Sequence, residues 1–157
     1  SIGIEHRGAM AHAVVYDPVK NELFTASKGG GAFLNDRRVR VSKCLRLQDA
    51  LVGTGFPFKE ASRLGLYTKQ LKHLMQGSAG VRRAGAAALD LAYVACGRLD
   101  AFWELGLAPW DMAAGTLLIQ EAGGLVGDLS GNAGFMESGD ICAATPKIFP
   151  ALLEALR

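Results

Sequence analysis

The sequence predicts an α/β fold in which an antiparallel β-sheet precedes a set of alternating strands and helices. In the first 50 residues, short runs of β-branched and apolar residues are separated by turn-forming residues, a pattern typical of β-hairpins. From residue 51 onwards, short apolar strands alternate with helix-length segments, which indicates helices layered on a sheet. The 157 residues, half of them hydrophobic, are enough for one sizeable core, so we expect one globular unit.

The first part of the chain, residues 1–50, is expected to be antiparallel. Strands are predicted at residues 1–5, 10–16, 22–27 and 37–41, with turns at Gly8, residues 18–21 and residues 35–36. Three consecutive glycines at residues 29–31 lie between two of these strands and precede no helix. We therefore interpret them as a bulge or a wide hairpin turn, and not as a phosphate-binding loop.

The second part, residues 51–157, is expected to alternate strands and helices. Strands are predicted at residues 51–54, 80–83, 99–104, 125–127 and 141–144, and helices near 60–76 and at 86–97, 111–122 and 147–156. The strands at 99–104 and 141–144 are short apolar runs next to helices, as expected for strands covered on both faces. Residues 127–134 are rich in glycine and polar residues, so we interpret them as a surface turn.

Asp111 is the first candidate functional residue. Pro109 fixes its own φ and biases Ala108 away from the helical region, so we expect the helix to begin at Asp111, with this residue as its N-cap. The helix that follows is apolar on nearly every face until its last residues, which predicts a buried helix. A buried carboxylate needs a partner or a metal ion, which favours a position at a cleft. The residues alone leave two interpretations open, a plain helix cap and a functional carboxylate.

A second candidate site precedes the helix predicted at 86–97. Arg82 and Arg83 are followed by Ala84 and Gly85, and then by a run of alanines. Unpaired N–H groups at a helix start, with a guanidinium beside them, can bind an anion. The alternative is that both arginines point to solvent and that the glycine only eases the turn. Asp90 and Asp100 could also hold a metal, but we interpret each as a solvated helix or strand position.

Composition and charge exclude several classes of function. A formal net charge of +2 with interspersed signs gives no broad basic surface, so we expect no direct binding to nucleic acid. The three cysteines are widely spaced and lack metal-binding spacing, which is typical of reduced packing residues in the cytoplasm: Cys44, Cys96 and Cys142. No apolar run approaches the roughly 18 residues of a membrane span, and no leader-like segment begins the chain. We therefore expect a cytoplasmic protein without membrane contact.

The stretch from Trp103 to Gly124 carries a resemblance to a known family. It contains Glu-Leu-Gly-Leu-Ala-Pro-Trp-Asp, followed by Ala-Ala-Gly and then by Glu-Ala-Gly-Gly. This pattern resembles the second signature of the inositol monophosphatase family. Other stretches resemble the bacterial SuhB-type members of that family, at residues 13–18, 22–26, 31–35, 54–58 and 88–95. The resemblance therefore runs from one end of the chain to the other.

The resemblance implies a fold, an activity and a set of site residues. It implies the αβαβα sandwich of this family and a Mg²⁺-dependent phosphatase that hydrolyses inositol monophosphates to inositol and phosphate. It implies that Asp111 binds a catalytic Mg²⁺ and contacts the substrate, and that Glu104 forms hydrogen bonds with inositol hydroxyls. The other implied substrate-binding residues are Arg82, Gly85, Ala86 and Ala87. Other family members often carry Thr or Ser where this sequence has Ala86, so no hydroxyl contact is expected there.

The resemblance also implies that the chain is the C-terminal part of a longer phosphatase. Family members carry a preceding region with an acidic Glu and an Asp-Pro-x-Asp-Gly-Thr motif, which supply most of the metal ligands. Neither occurs here, because Asp17 and Pro18 are followed by Val19 and Lys20. Residues 1–50 are then the remainder of the antiparallel-sheet part and residues 51–157 the C-terminal α/β part. We expect this fragment to be inactive on its own.

Partners are implied by the resemblance as well. The expected partners are a small inositol phosphate and a second copy of the chain in a homodimer. SuhB-type members are also associated with transcription antitermination factors and RNA polymerase, so a role as a binding module is an alternative to catalysis. A related sugar- or nucleotide-bisphosphate phosphatase is a further alternative. The Glu-Leu-Gly-Leu spacing that begins at Glu104 favours inositol phosphates over these substrates.

Overall fold

The computed structural model describes residues 1–58 and 60–157. Two five-stranded sheets form its framework. The first is antiparallel throughout, with its strands in chain order: β1 Ile2–His6, β2 Ala9–Asp17, β3 Glu22–Ser27, β4 Gly31–Leu34 and β5 Arg37–Val39. The second has the order β7-β6-β8-β10-β9: β6 Leu51–Thr54, β7 Gly80–Arg82, β8 Ala101–Glu104, β9 Leu125–Gly127 and β10 Ile141–Ala144. In it β7, β6 and β8 are parallel, and β10 is antiparallel to both of its neighbours.

Helices lie between the sheets and outside the second sheet. They are α1 Leu64–Gly77, α2 Ala87–Ala95, α3 Pro109–Glu121, α4 Phe135–Ser138 and α5 Phe149–Ala155. One buried cluster joins the first sheet, α2, α3 and one face of the second sheet, including Phe102 of β8. A second cluster joins the other face of that sheet, including Trp103, with α1 and α5. Because successive side chains of a strand point to opposite faces, the short apolar strand β8 contributes to both cores.

The predicted α/β layering is confirmed, and most predicted elements lie within a few residues of their expected ends. Among the α-helices and β-strands of the described residues, two were missed, α4 and the strand β4 that follows the three glycines. The carboxylate of Glu121 in α3 accepts the N–H groups of Gly29 and Gly31, both at 2.7 Å, and so holds this turn open for β4. Asn35 and Asp36, both with positive φ, then close a two-residue hairpin to β5. A contact so distant in sequence could not be anticipated from the local pattern.

None of the helices in the described ranges is long and apolar enough to cross a membrane.

Close packing between α2 and α3 predicts a specific stability effect. A Cβ atom added at Gly115 of α3 would lie 2.5 Å from the Cβ of Leu91 in α2, closer than side chains pack. Gly115→Val in the complete protein is therefore expected to lower the free energy of unfolding by about 1–3 kcal/mol. Gly65 of α1 has open space around its Cα, so Gly65→Ala should instead stabilise by up to about 1 kcal/mol. Urea denaturation of both variants measures this contrast, and equal effects would contradict it.

Candidate active site

A cleft of about 310 Å³ lies at the carboxyl ends of the three parallel strands. Gly55 directly follows β6, Arg83 follows β7, and Glu104 is the last residue of β8. In open α/β sheets, this end of the parallel strands is the usual position of a ligand site. The starts of two helices complete the wall with Gly85, Ala86, Ala87, Ala108, Trp110 and Asp111. Five of the six candidate residues from the sequence therefore meet in one cleft.

Asp111 lies in the first turn of α3, and it is not the N-cap. The prediction that the helix begins at Asp111 is wrong, because α3 begins at Pro109 and Ala108 is its N-cap. Proline suits the first helical position, since its fixed φ is helical and its missing N–H would have no partner there. The Oδ2 atom of Asp111 accepts the N–H of Ala108 at 3.1 Å. Ala108 has no side-chain acceptor, so only this half of a capping box forms.

Glu104 faces the cleft from the end of β8 and is half-buried. Its carboxylate packs directly against the Cα of Gly55, so any side chain at position 55 would overlap it. Burial raises the pKa of Glu104 to about 7. The charges of Asp90 and Asp111 act in the same direction, whereas the guanidinium of Arg83 opposes them. Glu104 therefore changes charge near neutral pH.

Another part of the cleft wall is formed by the start of α2. Gly85 has a φ of +99°, which only glycine adopts readily, so the chain can turn sharply into the helix. Ala86 is the N-cap residue and provides no side-chain acceptor. The first N–H groups of α2 consequently have no side-chain cap, which is the property expected of an anion-binding helix start. Ala86 and Ala87 present only small side chains to the cleft.

The two arginines before α2 differ in position. Arg83 lines the cleft, and its guanidinium lies 5.2 Å and 5.3 Å from the ring centres of Phe56 and Phe58. Arg82 is absent from the described lining of the cleft, and its Nη1 donates to the carbonyl of Val81 at 3.2 Å. Successive residues at the end of a strand point to opposite sides, so only one of the two arginines can face the cleft. The structure brings Arg83 there, and not Arg82 as the resemblance implied.

Asp90 is the residue that sequence reasoning missed. The interpretation of Asp90 as a solvated position is wrong, because the side chain is only 3% exposed and its Oδ2 has no hydrogen-bond partner among the described residues. Burial raises its pKa to about 6, with Arg83 opposing the shift. A signal was present, since Asp90 is the only charged residue between Arg83 and Arg98. Asp100 is also half-buried, and it accepts the N–H of Leu51 at 2.7 Å away from the cleft.

The described residues fit one ligand of a Mg²⁺ site but not a complete site. Across residues 1–58 and 60–157, no group of three or more His, Cys, Asp or Glu side chains could hold a metal ion. Asp111 meets the requirement for a single ligand, because it lines the cleft and the N–H of Ala108 is bonded to only one of its two carboxylate oxygens, Oδ2. Mg²⁺ prefers about six oxygen ligands, several of them water, so one such carboxylate is a partial contribution.

An open cleft with carboxylates and an uncapped helix start, at the carboxyl end of a sheet, defines an α/β protein with a site for a small polar ligand. Comparison with known proteins identifies the class. The inositol monophosphatase family matches residues 1–157, so this chain belongs to that family. The family predicted from the motif around Asp111 is thereby confirmed.

Relatives with known names agree with this assignment. The chain is 55% identical to Nus factor SuhB of Pseudomonas aeruginosa, covering 100% of this chain and 59% of that protein. It is 50% identical to inositol-1-monophosphatase of Rhizobium meliloti, again covering 100% of this chain and 59% of that protein. The chain thus spans about three-fifths of the length of these relatives.

Solved structures confirm the fold. The extragenic suppressor protein suhB of Bartonella henselae superposes with a TM-score of 0.94 at 46% identity, covering 98% of this chain and 58% of that one. Inositol monophosphatase from Anabaena superposes with a TM-score of 0.89 at 38% identity, covering 98% of this chain and 64% of that one. The two sheets and the helices between them therefore have the arrangement of this family.

The contact between Gly55 and Glu104 gives a testable coupling. Gly55→Ala should lower the free energy of unfolding by about 1–3 kcal/mol, because the new methyl group overlaps the Glu104 carboxylate. In a Glu104→Ala background, the same change should cost much less. A double-mutant cycle by urea denaturation of the complete protein should give a coupling of about 0.5–3 kcal/mol. Additive effects would show that a methyl group at position 55 does not overlap the Glu104 carboxylate.

Proposed function

We propose that the complete protein is a Mg²⁺-dependent phosphatase that hydrolyses inositol monophosphates to inositol and phosphate. The observation that carries this proposal is the meeting of Asp111, Glu104 and the start of α2 in one cleft. It is supported by family membership and by the identity to proteins named inositol-1-monophosphatase. In the family, the motif that contains Asp111 and Glu104 is the one associated with the metal and the inositol.

Asp111 is the metal ligand in this proposal. A phosphomonoester dianion repels an anionic nucleophile, and a bound Mg²⁺ supplies charge neutralisation and an acidified water. The hydrogen bond from Ala108 to Oδ2 fixes the orientation of the Asp111 carboxylate. Its position in the first turn of α3 also places the negative charge at the favourable end of the helix dipole. The carboxylate is therefore held in place before any metal binds.

Glu104 is the substrate-binding residue that accepts hydrogen bonds from inositol hydroxyls. Its carboxylate packs against Gly55 and lines the cleft, where an acceptor can orient a bound ring for reaction at the phosphate. The small side chains of Ala86 and Ala87 leave space for a ring in the cleft that Glu104 also lines. The uncapped N–H groups of α2 and the guanidinium of Arg83 favour an anionic ligand over a neutral one.

The second candidate role is a binding module of the transcription antitermination machinery, acting with RNA polymerase. It is supported by the 55% identity to a protein named Nus factor SuhB.

With either role, we expect a cytoplasmic location and a homodimer. The homodimer is supported by exposed apolar side chains around an apolar groove of about 490 Å³, where Phe58 is 75% exposed and Leu64 is 53% exposed. Sedimentation of the complete protein tests the homodimer, and a monomer would contradict it.

Asp111→Asn in the complete protein is expected to reduce Mg²⁺-dependent turnover of inositol 1-phosphate by orders of magnitude. The melting midpoint should barely change, because an Asn oxygen can still accept the N–H of Ala108. Phosphate release with and without Mg²⁺ measures the first effect, and thermal unfolding measures the second. Asp36→Asn, at an exposed hairpin position, is the matched control and should leave both unchanged.

The same assay on the 157-residue chain alone should give no Mg²⁺-dependent phosphate release, since its described residues contain no complete metal site. Turnover by this chain, or full activity of Asp111→Asn, would contradict the metal-ligand role. Capture of RNA polymerase components by Asp111→Asn without turnover would instead favour the binding module. If Asp111→Asn loses both the capture of RNA polymerase components and turnover, the result would count against the binding module.

Glu104→Gln should impair substrate binding more than chemistry. Charged hydrogen bonds contribute about 1.5–3 kcal/mol, so KM for inositol 1-phosphate should rise roughly 10- to 100-fold above pH 8. Because the pKa of Glu104 is raised to about 7, the wild-type residue is itself neutral below about pH 6, and there the two proteins should converge. Glu137→Gln, at an exposed position of helix α4, is the control. A fall confined to kcat would exclude this role of Glu104.

A further inference from the structure

An ion pair between Arg63 and Asp140 lies beside the cleft, and the proposed mechanism gives neither residue a role. Nη1 of Arg63 donates to Oδ1 of Asp140 at 2.6 Å, and Nη2 donates to Oδ2, so the pair is bidentate. The side chains are only 23% and 15% exposed, and the two residues are 77 positions apart in the chain. A bidentate pair between arginine and a carboxylate has a defined geometry, so it can hold two distant segments in one arrangement.

The carboxylate of Asp140 also binds the turn between β8 and α3. Its Oδ1 accepts the N–H of Gly106 at 3.1 Å, and the N–H of Leu107 donates to the carbonyl of Gly139 at 2.8 Å. The two backbones meet closely, since a Cβ atom added at Gly139 would lie 2.5 Å from the carbonyl oxygen of Leu107. Two consecutive N–H groups of the turn are therefore bonded to the segment that precedes β10.

This turn separates two carboxylates of the proposed site. Glu104 is the last residue of β8, and Asp111 lies in the first turn of α3. Residues 105–108 connect them and line the cleft themselves. The connection is short, and Gly106 has a φ of +72° within it. A change in the path of this turn would therefore shift Glu104 and the start of α3 relative to each other.

Arg63 connects the same turn to another part of the cleft wall. Its Nε lies 3.6 Å from Oε2 of Glu60, which lines the cleft in the segment after β6. The guanidinium also lies against the turn, because a Cβ atom added at Gly106 would be 3.8 Å from Nη1. With Asp140 as its bidentate partner, Arg63 thus joins the segment after β6, the turn after β8 and the segment before β10.

We propose that Asp140 is a positioning residue that holds the turn at Gly106 and thereby sets the position of Glu104 relative to Asp111 in the cleft. Arg63 acts through Asp140 by fixing the orientation of its carboxylate. The roles of Glu104 and Asp111 towards an inositol phosphate and Mg²⁺ rest on the proposed function. The contacts that hold the turn do not depend on it.

The relative position of the two carboxylates matters because one substrate must reach both. In the proposed function, Glu104 accepts a hydroxyl of the inositol and Asp111 holds the metal at the phosphate. Small misplacements of reacting groups lower the rate steeply, so release of the turn should lower kcat/KM and raise KM together. A residue that only stabilises the fold would instead reduce the amount of active enzyme, and so lower kcat at unchanged KM.

Asp140→Ala and Asp140→Asn in the complete protein separate the hydrogen bond to the turn from the ion pair. Alanine removes the acceptor of the Gly106 N–H, whereas the side-chain oxygen of asparagine can still accept it. With Mg²⁺ present, we expect Asp140→Ala to lower kcat/KM for inositol 1-phosphate by about 10- to 100-fold, with a raised KM, and Asp140→Asn to recover most of the loss. Asp49→Ala is the matched control. It breaks the bidentate pair of Asp49 with Arg46, outside the described lining of the cleft, and should leave both constants unchanged.

Amide hydrogen exchange, followed by NMR of the complete protein, tests the turn without any substrate. In Asp140→Ala, the Gly106 N–H should exchange about tenfold faster or more, relative to the N–H of Leu118 in the buried part of α3. In Asp140→Asn, this ratio should stay close to that of the wild type. The ratio separates local release of the turn from a general loss of stability.

Arg63→Met tests whether Arg63 acts through Asp140, and it keeps the proposal testable if Asp140→Ala does not fold. Since Asp140 remains to accept the Gly106 N–H, exchange of this N–H should accelerate less than in Asp140→Ala. In the Asp140→Ala background, Arg63→Met should add nothing further, because the two residues belong to one network. An unchanged Gly106 exchange in Arg63→Met, or additive effects of the two changes, would overturn the proposal.

Unchanged Gly106 exchange in folded Asp140→Ala would also overturn it, and so would a loss of activity that falls on kcat alone or is not recovered in Asp140→Asn. If exchange changes as expected but the wild-type protein does not hydrolyse inositol 1-phosphate, the proposed function fails and the assignment of Asp140 to the turn stands. If the wild type hydrolyses it and Asp140→Ala has the same kcat/KM, the positioning role fails and the phosphatase proposal stands.

Discussion

The burial of helix α3 between the two sheets is the constraint on which the rest of the structure depends. Gly115 lets α3 approach Leu91 of α2 at the distance where any side chain would collide, and Glu121 at its end holds the glycine turn before β4. Its first turn carries Asp111 into the cleft. The same helix therefore joins the first sheet to the second and positions the carboxylate proposed to bind metal. A change that moves α3 acts on the core and on the site together.

The cleft itself results from the way three parallel strands end. Gly55, Arg83 and Glu104 follow β6, β7 and β8 at one edge of the sheet, so residues far apart in sequence become neighbours. This arrangement partly removes carboxyl groups from water, which disfavours their charged forms. Burial raises the pKa values of Asp90 and Glu104 to about 6 and about 7, and one exposed guanidinium opposes both shifts. Ionisable groups with such shifts cluster at functional sites, because acids and bases there need pKa values matched to their task.

Motifs were the reliable part of the sequence analysis, and local geometry was the unreliable part. Asp111 was predicted to face a cleft and it does line one, although the helix begins at Pro109 and the N-cap is Ala108. Arg82 and Arg83 are adjacent and chemically identical, so the sequence could not say which one faces the cleft. Their sides were decided by the alternation of side chains at the end of β7, which depends on the sheet register.

The sequence by itself determined the family, the order of most strands and helices, and two of the carboxylates that line the cleft, Asp111 and Glu104. These follow from patterns that are local in the chain, namely hydrophobic periodicity, turn residues and one contiguous motif. The tertiary structure alone decided that Asp90 is buried and that the Glu104 carboxylate occupies the space that a side chain at Gly55 would take. Burial depends on which elements pack together in three dimensions. The sequence does not show this, because an aspartate or glutamate is the same residue in the sequence whether its carboxylate is exposed or buried.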